Sequence, residues 1–160
     1  MATVTSIRKN QVAGKLELYF KREGLNFFRR RDIHDEADTI IYITALPAGS
    51  RRLLAAIITD SSVYTIIRCH LGVRKPGHPD DDAFLAFVGK LNASHAFFKY
   101  AVNEDGGLYI DVCIPATPAY FDPEMVRTTM NLLVYHLGEE YPSIAKWLDV
   151  LGDADQEINM

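Results

Sequence analysis

Residues 91–142 read LNASHAFFKYAVNEDGGLYIDVCIPATPAYFDPEMVRTTMNLLVYHLGEEYP. Local signals are densest here. Leu108, Ile110, Val112 and Ile114 alternate with Tyr109, Asp111 and Cys113, the period of a half-buried strand. Asn103-Glu104-Asp105-Gly106-Gly107 supplies turn residues before it, so Ala96–Val102 and Leu108–Ile114 are expected to form a hairpin. Asp122-Pro123-Glu124 combines an N-cap, a first-turn proline and an acidic first turn, and so opens a helix. Met125, Thr129, Leu132, Leu133 and Leu137 give that helix its apolar stripe. Gly138 is expected to close it, and Tyr141-Pro142 to start a last short helix through Ile144, Trp147 and Leu151.

Working outward, Val12, Leu16, Tyr19 and Phe20 fall on one face of a first helix, with Gly24 as its stop. Four strands are expected next, over Leu25–Ile33, Thr39–Leu46, Arg52–Thr59 and Val63–Leu71, with a break at Pro47-Ala48-Gly49-Ser50. Asp80, Asp81 and Asp82 then open a second helix, whose apolar residues include Phe84, Phe87, Val88 and Leu91. The order is α, β-meander, α, β-hairpin, α. It implies an α+β, two-layer fold with helices on one face of an antiparallel sheet. Residues 1–152 read as a single domain and 153–160 as a polar tail.

The 160 residues are 48% hydrophobic and 24% charged, the balance of an ordinary globular chain. The net charge of -4 gives no global pull toward nucleic acid or an anionic membrane. Cys69 and Cys113 make no disulfide framework and fit a reducing compartment. The N-terminus is interrupted by Arg8, Lys9 and Lys15, and the longest apolar runs are too short to span a bilayer. These features lead to the expectation of a cytoplasmic protein without membrane association.

Two pieces, LNASHAFFKYAVNEDGGLYIDVCIP and FDPEMVRTTMNLLVYHLGEEYPSIAKWL, together with the element order, resemble the bacterial YbjN-like family. Its fold is that of the type III secretion chaperones. The resemblance covers the second half of the chain, and the first half only as a pattern of strands. It implies a sensory-transduction or stress regulator without catalytic residues. Secretion chaperones of this fold are homodimers that hold extended segments of a partner, so the resemblance also implies a non-enzymatic binding role.

No reaction is written in the chain. The histidines His34, His70, His78, His95 and His136 include no i, i+4 pair, and Cys69 and His70 point to opposite faces of one strand, so no metal site is expected. Ser61, Ser62 and Ser94 lie in no nucleophile elbow, and Cys113, mid-strand, reads as buried and inert. The acidic clusters have structural roles as cap, turn and helix end, and no nucleotide-binding glycine pattern occurs, so neither catalytic residues nor a cofactor are expected.

Two surfaces remain. Phe97, Phe98, Tyr100 and Tyr109 put large aromatic groups on both sides of the hairpin, more than one covered face needs. They are the expected surface for a homodimer or a protein segment. Arg29, Arg31, Arg52 and Arg68, on neighbouring strands, form a basic patch. Its simplest role is to keep strand edges from aggregating. Its functional role would be to hold single-stranded RNA, a reading disfavoured by the acidic whole. A small-molecule enzyme is the third reading.

Overall fold

The computed structural model of the chain describes residues 9–155. The expectations for residues 1–8 and for the tail beyond 155 lie outside the described residues. The fold is α+β, with three helices and one seven-stranded antiparallel sheet among the described residues.

Helix α1 spans Gln11–Glu23. Asn10 starts it and is itself fully buried. Its Oδ1 accepts from the Ala13 amide at 3.0 Å, and its Nδ2 donates to Thr59 Oγ1 and the Asp38 carbonyl, each at 2.9 Å. One side chain thus caps a helix and ties it to two distant segments. Strands β1 (Arg29–Asp32), β2 (Ile40–Ala48), β3 (Arg51–Thr59) and β4 (Tyr64–Val73) follow as a meander. Helix α2 covers Asp81–Ser94, β5 is Lys99–Val102, β6 is Gly107–Pro115 and helix α3 is Pro123–Ala145. A two-residue strand, β7 (Val150–Leu151), pairs with β4. Across the sheet the order is β1-β2-β3-β4-β6-β5, with β7 beside β4.

Several boundaries differ from the sequence expectations. The first strand begins only at Arg29, because Phe28 turns back and stacks on Phe20 of α1 with ring centres 4.4 Å apart. Pro47 and Ala48 stay in β2, and the turn shrinks to Gly49-Ser50. The second half of the hairpin is as read, but β5 starts at Lys99, so Phe97 and Phe98 sit in the approach to it rather than in a strand. Helix α3 runs through both Gly138 and Pro142. Tyr141 and Ile144 are buried on this last stretch, and Tyr141 donates its hydroxyl to the Leu71 carbonyl at 2.8 Å. Those contacts offset the hydrogen bond that proline cannot make.

The core lies between the helices and one face of the sheet. Tyr42, Leu53, Ile57, Ile67, Cys69, Leu71, Leu108 and Ile110 point into it and meet Leu16, Leu91, Leu133 and Leu137 from the helices. Truncating any of the fully buried leucines to alanine removes roughly 2–5 kcal/mol of stability. Arg74, 6% exposed, staples the edge of this layer. Its guanidinium donates to the Trp147 carbonyl at 2.8 Å, pairs with Asp80 and Asp81, and lies over Phe84 and Trp147. Asp80 stands at the N-cap position of α2 without a side-chain cap hydrogen bond; it and Asp81 instead neutralise a buried arginine.

Strands β3 and β4 pair only over Ala55–Ile58 and then diverge. Residues 149–154 fill the fork. Asp149 and Gly152 donate their amides to Val73 and Leu71, at 2.8 and 2.9 Å, and Ala154 donates to Arg52 at 2.9 Å. The start of the segment read as a frayed tail is therefore integrated into the sheet.

Candidate functional site

The sheet face turned away from the helices is the first candidate. Its make-up follows from the register. One row runs Arg29, Ile43, Ala56, Arg68, Asp111, Lys99 across β1, β2, β3, β4, β6 and β5. The next runs Arg31, Ile41, Ile58, Ile66, Cys113. Arg52 stands opposite Pro47 on the same side. All four arginines singled out from the sequence therefore share one face. Arg30 points the other way, where Glu17 and Asp32 hold it. Ile41, Leu54 and Ala56 are buried here, yet none belongs to the core under the helices. Their strand neighbours hide them.

This face combines an aliphatic centre with basic surroundings. Five basic side chains of its strands (Arg29, Arg31, Arg52, Arg68 and Lys99) accompany one strand carboxylate, Asp111, while Asp153 and Asp155 line a hollow with Arg52 at one end. Arg68 is committed to that carboxylate through two hydrogen bonds of 2.8 Å, and it lies 4.4 Å from the centre of the Tyr109 ring. Arg29, Arg31 and Arg52 form no side-chain ion pair among the described residues. Cys113 is exposed on this face, which corrects the expectation of a buried thiol. It faces away from the helices, and partial desolvation and Asp111 raise its pKa. Cys69, one strand over and on the inner side, is fully buried, and desolvation pushes its thiol far above the usual range.

The expected aromatic surface is divided by the fold. Tyr109 is on the open face under Arg68. Tyr100 is 2% exposed beneath α3, where its hydroxyl hydrogen-bonds His136 Nε2. Strand pairing explains the separation: Tyr100 lies opposite Ile110, an inward residue, whereas Tyr109 lies opposite Ala101. Phe97 and Phe98 are brought together at the rim of the helical layer, with ring centres 5.2 Å apart. Phe98 stacks on His136 at 4.3 Å, and His95 meets the same imidazole edge-on at 4.5 Å. Burial first, and His95 second, lower the His136 pKa, while Glu140 opposes the shift. Burial, then Glu140, raises that of Tyr100. Both groups are thus neutral near pH 7. His95, Phe97, Phe98 and His136, with Leu132, Tyr135, Glu139 and Glu140, line an open bowl of about 510 Å³, with Tyr100 beneath it. Sequence reasoning missed His136 as its floor, because only the fold brings α3 over β5.

A smaller cleft of about 290 Å³ lies between α1 and α3, walled by Phe20, Phe27, Phe28, Val126, Met130 and Val134. Arg127 at its rim is held by the Tyr19 hydroxyl and Glu23. Among the described residues no group of three histidine, cysteine, aspartate or glutamate side chains is placed to hold a metal ion. No helix among them is long and apolar enough to cross a membrane.

Compared with protein-family models, curated proteins and solved structures, the chain matches none.

Proposed function

We propose that the protein is a non-enzymatic binding protein of the bacterial cytoplasm, with a secretion-chaperone-like domain of YbjN-like type. Its open sheet face takes an extended protein segment that is aliphatic in the middle and acidic at its flanks. One observation carries this reading. A half-buried aliphatic band, Ile43, Ile58 and Ile66, shares its face with Arg29, Arg31 and Arg52, which form no side-chain ion pair among the described residues, in a chain whose net charge is -4. A partly exposed apolar patch rimmed by charge is a common form of a protein-binding surface. Complementary potential sets both the encounter rate and the choice of partner.

A symmetric homodimer centred on the Arg29, Arg31 and Arg68 part of this face would set arginines against arginines, since Asp111 there is already taken by Arg68. The homodimer expected from the sequence is better sought on the helical side. Single-stranded RNA is the second reading, favoured by the co-facial arginines and by Tyr109. The band between them is aliphatic, however, and offers bases no row of aromatic platforms.

Fluorescence anisotropy decides between these. The probes are a labelled peptide with an isoleucine-valine centre and aspartate flanks, the same peptide with lysine flanks, and an oligouridylate. The acidic-flanked peptide is expected to bind, and to weaken at least about tenfold in Arg29→Ala/Arg31→Ala. Equal binding of the two peptides, or retention of the oligouridylate alone, would overturn the proposal.

A further inference from the structure

The bowl on the helical side presents a different chemistry from the basic sheet face. Its walls are aromatic: Phe97 is 50% exposed and Tyr135 72% exposed, and Phe98 lies between Phe97 and His136. Its charged lining is acidic. Glu139 and Glu140 border it, and neither a lysine nor an arginine lines it. Glu140 Oε1 lies 3.4 Å from His95 Nε2, so one carboxylate is held at the rim by an imidazole, and Glu139 is exposed to solvent. The floor is fixed, because His136 is clamped between Phe98 and His95 and hydrogen-bonded to Tyr100 from below.

Each class of ligand meets these groups differently. An anion would face two carboxylates with no cation among the lining residues to offset them. A purely apolar molecule would leave the Glu139 carboxylate unused. A metal ion would find no group of three ligands among the described residues. A compact organic cation uses both features at once: aromatic rings attract it through their quadrupoles, and the carboxylates through charge. The volume of about 510 Å³ is ample for a trimethylammonium group and a short tail.

We infer that the bowl formed by Phe97, Phe98, Tyr135, His136, Glu139 and Glu140 is a binding site for a small alkylammonium cation. The site is separate from the sheet face and stands or falls independently of what that face binds.

The test is a titration of the full chain followed by amide-resolved NMR at constant ionic strength. The probes are choline and its neutral carbon isostere, in which a tert-butyl group replaces trimethylammonium. Choline is expected to shift amides of residues 95–98 and 132–140. The isostere is expected to bind at least about fivefold more weakly. Phe97→Ala and Glu139→Gln each change an exposed side chain and are expected to weaken choline at least about threefold, with the thermal midpoint unchanged. Equal affinity for choline and the isostere would overturn the site, as would shifts confined to other residues. Unchanged choline binding in both variants would do the same.

Discussion

Arg68 on β4 stands directly opposite Asp111 on β6, and the two side chains are joined by paired hydrogen bonds of 2.8 Å. The guanidinium also covers Tyr109, the strand neighbour of His70. A planar fork on a carboxylate is a geometry that lysine does not reproduce. Arg68→Ala is expected to lower stability by about 1 kcal/mol, since the pair is partly exposed. Arg68→Lys should recover less than half of that loss. Urea unfolding of the two variants checks both figures.

Two glycines should respond to alanine with opposite sign. Gly72 has φ of +145°, and a Cβ there would lie 2.4 Å from the Val150 carbonyl oxygen. Gly72→Ala is expected to cost about 3 kcal/mol, from backbone strain and from expulsion of β7. Gly14 sits inside α1, with open space where its Cβ would be. Gly14→Ala should stabilise by about 0.5–1 kcal/mol through helix propensity. Thermal unfolding of the pair reads both signs.

Acidification should destabilise the fold in a defined window. Burial lowers the pKa of His70 and, with His95, that of His136. The unfolded chain therefore takes up protons below about pH 6.5 that the folded chain resists, and stability falls as pH falls through that value. Asp35, Asp81 and Asp149 have lowered pKa values, so their stabilising contributions are lost only in more acidic solution, from about pH 4 downward. Urea midpoints measured from about pH 7.5 to 5.5 should decline in the native chain and be flatter in His70→Gln/His136→Gln. An undiminished slope in the double variant would refute the assignment.

The two thiols should be distinguishable by alkylation. Cys113 is exposed and Cys69 fully buried. Intact-mass spectrometry after maleimide treatment should show one adduct on the folded protein, at Cys113, and two in urea. Because desolvation and Asp111 raise the Cys113 pKa, its labelling should be slower than that of a free thiol at the same pH.

Sequence patterns reached the local elements and stopped at the long-range ones. The alternation of Leu108–Ile114 and the Asp122-Pro123 cap are local facts, and β6 and the start of α3 follow from them. Pro142 misled, because the burial of Tyr141 and Ile144 that keeps α3 going comes from the sheet beneath it. No periodicity announces β7, whose two residues are a strand only because the carbonyls of β4 accept from the amides that flank them. Arg29 and Arg31 share a face by strand parity alone. That Arg52 and Arg68 join them depends on the register of three strand pairings, which parity does not fix. The aromatic residues were found but not their arrangement. Tyr100 and Tyr109 are separated by the sheet, and the partner that gives Phe98 its position, His136, is 38 residues further along the chain.

The fork between β3 and β4 makes the sheet depend on a stretch remote from it in sequence. Its occupants, residues 149–154, come after every other strand and helix described above. Without them the Leu71, Val73 and Arg52 carbonyls would have only water to bind. A chain cut after residue 148 would therefore carry a sheet with an unpaired notch between two central strands, a template for pairing with another chain.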